Sequence, residues 1–96
     1  MKNKLKLGQL FMSTGVERLI LEEDVNNSTE IARCVIKHQS SDWGDLCEKD
    51  KQANDYAVEH GERILSAYEV GKNKTKIWII TNGDRTTTTV ILPEEY

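Results

Sequence analysis

The pattern of the chain predicts an α+β fold, with three helices packed on one face of a three-stranded antiparallel meander. Two observations carry this. Before Gly61, apolar residues recur at helical spacing behind cap-like residues; after it come three short β-rich runs separated by turn residues. Short connections make sequential antiparallel pairing the default, and helices that precede a meander gather on one of its faces. The 96 residues suit a single domain, 1–96, without repeat, linker or low-complexity tract.

At the start, Leu5 and Leu7 alternate with lysines, so residues 4–12 suit a short N-terminal edge strand added to the meander. Thr14 and Glu17 have capping-box spacing and predict a short helix with Val16, Leu19 and Ile20 on one face. The acidic run Glu22-Glu23-Asp24 is unfavourable at a helix C-terminus and should stop it. Asn27 and Glu30 repeat the capping spacing before a helix over 29–39, whose Ile31, Cys34, Val35 and His38 form one apolar stripe. Ser40 to Gly44 reads as a type I turn. Asp45, with Glu48 three residues on, caps a long third helix that Gly61 ends and whose last turn holds His60. Asp50 and Asn54 fall on its inner arc with Ala53, Tyr56 and Ala57. A buried Asp50 needs a partner, and Arg63 or Arg85 is the natural one. Strands follow over 63–70, 76–81 and 86–92, and Asn82-Gly83 predicts a type I′ hairpin.

Composition narrows the function classes. Thirteen Lys and Arg against sixteen Asp and Glu leave a net charge of -3, so the overall field does not draw the protein to nucleic acid or an anionic membrane. The charge is uneven: Asp42 to Glu69 carries net -5, and Val70 to Leu92 carries net +3. The basic start, Met1 to Leu7, has no apolar stretch behind it, and no run nears the ~20 residues of a membrane span. The expectation is a cytoplasmic protein without membrane contact, its Cys34 and Cys47 reduced. The length excludes a complete Rossmann-type methyltransferase, a TIM barrel or a kinase.

Several constellations could carry chemistry. Cys34, His38, Cys47 and His60 have the ligand types of a zinc site but lack a tight Cys-x-x-Cys knuckle, so no metal or other cofactor is expected. A Cys34–His38 dyad would suffer from burial, which blunts a thiol. Asp42, Asp45 and Asp50 flank Trp43 near His38 and could do acid–base work, although capping and turn roles explain the first two. A helix pair ahead of a basic meander resembles, in layout, the RelE/BrnT-like ribonuclease toxins. There Arg63, Tyr68, Lys76 and Arg85 would be the residue types corresponding to cleavage residues on the sheet.

One family resemblance covers the chain from His38 onward. It rests on His38-x-x-x-Asp42-Trp43-Gly44-Asp45-Leu46-Cys47-Glu48-x-Asp50, Asn54, Arg63-x-Leu65-Ser66-Ala67-Tyr68, Lys76-Ile77-Trp78-Ile79-Ile80-Thr81, Asp84-Arg85-x-x-Thr88-Thr89 and Leu92-Pro93-Glu94-Glu95-Tyr96. These segments resemble small bacterial "plasmid-related" proteins, some labelled as modification subunits of type I restriction systems. The label does not suit this chain: a DNA methyltransferase needs a glycine-rich cofactor loop and an Asn-Pro-Pro-aromatic motif, and Pro93 is the only proline. The resemblance implies a setting, bacterial mobile DNA, and brings forward His38, Asp42, Trp43, Asp45, Asp50, Asn54, Asp84 and Arg85 as a polar cluster or recognition surface.

The reading that follows is a non-enzymatic accessory protein that binds another protein. A small nuclease or hydrolase is the runner-up, and an acidic nucleic-acid mimic the third. A catalyst needs His38 exposed in a cleft beside a carboxylate, whereas a binding module needs an exposed apolar or charged patch. A second copy could pair through the N-terminal strand or the outer strand of the meander.

Overall fold

Seven residues of alternating burial, Ile64–Val70, form a strand that runs antiparallel to Thr75–Thr81, which in turn runs antiparallel to Thr87–Ile91. The meander is therefore present, with bounds within a residue of those expected. A fourth strand joins it. Gln9–Met12 lies parallel to Thr87–Ile91, so the sheet is mixed, and with β1 to β4 numbered along the chain its order is β1-β4-β3-β2. The computed structural model describes residues 4–96; Met1 to Asn3, the first part of the basic start, lie outside the described residues.

The N-terminal strand starts later than the Leu-Lys alternation predicted. Leu5 is buried beside Trp43, Ala57 and Ile64, and its amide donates to the Gln39 carbonyl at 2.9 Å. A parallel pairing across this much intervening chain leaves no local sequence signal.

Helix α1, Thr14–Arg18, is capped by Ser13 rather than Thr14: the Ser13 hydroxyl accepts from the Val16 amide. It runs on as a π-helical turn, Leu19–Glu23, which carries the acidic run. Helix α2, Asn27–Gln39, begins two residues early because Asn27 is part of it: its side-chain amide donates to the Leu19 carbonyl at 2.9 Å. The stripe of Ile31, Cys34 and His38 is buried against the sheet as its spacing predicts.

Helix α3, Glu48–His60, begins after Cys47, so Asp45 does not cap it. Residues 43–45 instead form a parallel bridge to β2, in which the Asp45 amide donates to the Ala67 carbonyl at 2.8 Å. The bridge replaces the expected type I turn and requires Gly44: its φ is +72°, and a Cβ there would stand 2.0 Å from the Ala67 oxygen. Gly61 ends α3 in the left-handed region, as expected. The β3–β4 connection is not a two-residue I′ turn. Arg85, with φ +61°, donates its amide to the Asn82 carbonyl, closing a turn that ends on a left-handed residue.

The buried strand residues of one face (Ile64, Ser66, Tyr68, Val70, Ile77, Ile79, Thr81, Thr88 and Val90) lie in register with one another; the cluster from Tyr68 to Val90 packs on α1 and α2, and Ile64 packs on Leu5, Trp43 and Ala57. The alternate residues face the other way. Among the described residues no α-helix covers that second face: helix α3 packs along the β2 margin, and only the short turn Pro93–Glu95 and Tyr96 lie against β3.

Candidate functional site

His38 was the sequence's best catalytic candidate, and its surroundings decide what it can do. It is 0% exposed, and both ring nitrogens are engaged: Nδ1 is 2.5 Å from Ser66 Oγ and Nε2 is 2.8 Å from Thr81 Oγ1. Thr81 Oγ1 is 2.8 Å from Thr88 Oγ1, which donates to the Leu7 carbonyl at 2.8 Å. The protons follow by elimination. A carbonyl only accepts, so the single Thr88 hydroxyl proton points at Leu7. Thr81 must then donate to Thr88 and accept from Nε2–H of His38. The neutral imidazole has only that proton, so Nδ1 accepts from Ser66. Burial, then the Arg85 charge, lowers the His38 pKa to about 4, consistent with this neutral tautomer. The chain of hydroxyls binds β2, β3, β4 and the Leu7 segment to α2. It leaves the ring neither a free nitrogen nor access to solvent.

The other candidates serve separate local structures. Trp43 is buried edge-on to His38, with ring centroids 5.6 Å apart, and its indole N–H donates to Asp55 at 2.9 Å. Asp42 accepts the Gly44 amide on its side chain, while its backbone carbonyl accepts the Tyr68 hydroxyl at 2.6 Å. Burial pushes the Tyr68 pKa up. Asn54 is buried, and its amide group pairs with the backbone of Leu65, donating to the carbonyl at 2.7 Å and accepting from the N–H. Asp50 is exposed, which corrects the expectation of a buried ion pair and removes the need for an arginine partner. The Arg85 guanidinium donates to the carbonyls of Ala57, Glu62 and Asn82, closing the C-terminal end of α3. Asp84 accepts from the Thr86 hydroxyl and amide, which lowers its pKa.

The proposed ligand set also separates. Cys34 is buried, and burial raises its thiol pKa; Cys47 is exposed; His60 stacks on Tyr56 at 3.7 Å. Among the described residues no three His, Cys, Asp or Glu side chains come together as a metal site. Tyr56, expected on the inner arc, points outward with His60. Of the residue types matched to the toxins, Tyr68 is buried on the helix-facing side, while Arg63 and Lys76 belong to the opposite face.

That opposite face is what sequence reasoning missed. Leu65, Ile80, Thr89 and Phe11 stand side by side across the four strands, and Ala67, Trp78 and Ile91 form the next row. Of these, Ala67 is buried, Phe11 is exposed and the others are half-buried. Tyr96 packs edge-on to Trp78, with centroids 5.6 Å apart, and Arg63 donates to its hydroxyl. The signal was present. Ile77-Trp78-Ile79-Ile80 reads as a continuous apolar run, suited to a strand covered on both faces, yet the predicted helices all belong to one face.

The two margins of the sheet also differ. At β2, Asn54 takes both backbone groups of Leu65, and Trp43 and Asp45 take those of Ala67. At β1, Gln9 and Ser13 donate inward to β4, so Leu10 and Met12 turn their backbone groups outward. Among the described residues no strand pairs with that outer edge. Leu10, Phe11 and Met12 are 48%, 49% and 43% exposed.

The fold and its surfaces define a small α+β protein with one closed polar cluster inside an apolar core and an apolar sheet face that no α-helix covers. Comparison with family models, curated proteins and solved structures returns no match. No helix among the described residues is long and apolar enough to cross a membrane.

Proposed function

We propose that this chain is a non-enzymatic accessory protein that binds another protein through the uncovered face of its sheet. The observation that carries this is the pair of rows that Leu65, Ile80 and Phe11, and Trp78 and Ile91, form in register without an α-helix over them, Phe11 exposed and the others half-buried. Apolar side chains grouped on such a face gain free energy when a partner removes their remaining surface from water, at about 25 cal/mol per Å² of apolar surface. The closed environment of His38 supports binding over catalysis, because a general acid or base needs an open position beside a substrate. The resemblance in the C-terminal two-thirds adds a setting, a bacterial mobile element.

The test is a tagged chain expressed in its native host. Wild type should retain a stoichiometric protein partner and Ile80→Lys should lose it, while Glu59→Gln on the exposed side of α3 should keep it. Equal recovery of the same proteins by wild type and Ile80→Lys would remove this face from the interaction.

One observation favours the runner-up. Arg63 and Lys76 share the open face with Trp78 and Tyr96, a basic and aromatic combination suited to single-stranded RNA. RNA cleavage by the wild type that disappears in Arg63→Ala would put a nuclease in place of the first reading.

A further inference from the structure

The bare margin at β1 calls for an occupant, and its chemistry identifies one. Natural sheets protect an edge with charges, proline, a bulge or a cover. The opposite margin, at β2, is covered, whereas β1 is Gln-Leu-Phe-Met, uncharged and exposed along its whole length. Beside it runs an apolar groove that Leu10 and Met12 form with Val35 and Ile36 of α2 and with Val90; Ile36 is 59% exposed.

We infer that β1 pairs antiparallel with β1 of a second copy of this chain, joining two sheets into one of eight strands. Two observations support self-pairing. First, the outward backbone groups belong to Leu10 and Met12, two residues apart, so a two-fold axis at Phe11 sets Leu10 against the second copy's Met12 in a hydrogen-bonded pair, and the reverse. Second, the same axis puts Phe11 opposite its own equivalent, an aromatic cross-strand pair, and no charge on the strand meets its like. The two grooves then adjoin, covering Leu10, Met12 and Ile36.

Sedimentation of the intact chain over a wide concentration range tests this, with amide hydrogen exchange alongside. Wild type should sediment as a dimer, with the Leu10 and Met12 amides protected. Leu10→Pro removes an N–H that β4 does not use, so the fold should persist while dimer dissociation strengthens roughly thirtyfold, for two lost inter-strand bonds of about 1 kcal/mol each. Should Leu10→Pro fail to fold, Phe11→Lys and Phe11→Glu decide: each alone should be monomeric, and an equal mixture should recover the dimer. A monomeric wild type at every concentration overturns the inference, as does a dimer that both Phe11 variants retain, or β1 protection that appears only when another protein is added. The Leu10→Pro outcome is independent of the partner-binding reading, because that variant leaves Trp78 and Ile80 unchanged; the Phe11 variants, which also touch that face, are read by self-association of the purified chain alone.

Discussion

At the β2 margin the backbone groups of Leu65 and Ala67 find partners in Asn54, Trp43 and Asp45; at the β1 margin those of Leu10 and Met12 face solvent. The first margin is closed by residues that sequence reasoning had grouped as a chemical site. Asn54 looked out of place on an inner helix arc because its partner is backbone from a strand eleven residues away, which no side-chain pattern reveals. Gly44 looked like a turn residue, yet it is there because a strand passes within reach of its Cα. The polar residues of a small protein can therefore signal edge protection as readily as catalysis. The margin without such residues is the one left free to pair.

Breaking the covered margin should have the largest effect. Gly44→Ala forces a Cβ into the Ala67 carbonyl at a left-handed φ, and should lower the unfolding free energy by about 3 kcal/mol or more in a urea titration. The core between the margins responds to pH. The folded pKa of His38, about 4, lies below its usual 6.5, so the unfolded chain binds the proton first. The stability it contributes is complete above pH 6.5 and is lost as pH falls toward 4, a change of about 3 kcal/mol. Equilibrium unfolding at successive pH values should show this slope in wild type, and His38→Gln should flatten it. Asn54→Ala leaves the Leu65 N–H and C=O without their partner and should cost about 2 kcal/mol, with faster exchange of the Leu65 amide. The smallest effect belongs to the bare margin: in chain diluted to the monomer, Leu10→Lys should change stability by no more than about 0.5 kcal/mol, because the side chain is half exposed already. A large loss in the monomer would mean that β1 is closed within the single chain.

Local patterns were readable and long-range partners were not. The stripe Ile31, Cys34, Val35, His38 gave α2 its buried face, and the meander and the Gly61 stop followed from short-range chemistry. The Asp45 cap failed because its backbone was already committed to β2, and the I′ turn failed because Arg85, rather than Gly83, takes the left-handed position. His38 completed an apolar stripe, as its spacing suggested. That its nitrogens would meet Ser66 and Thr81 depended on the register of two distant strands.

The C-terminal turn, Pro93–Glu95, bears on the order in which the molecule can assemble. The Glu95 carboxylate accepts from the Ser13 hydroxyl and the Gly15 and Leu92 amides, and among the described residues of the chain β1 has no sheet partner other than β4. During synthesis residues 9–15 therefore wait for residues 87–95 before they can dock. Until then β1 is an apolar segment without a ladder, and its closure carries the loop entropy of nearly the whole chain. Folding should finish where it began, with the N-terminal strand the last to be captured.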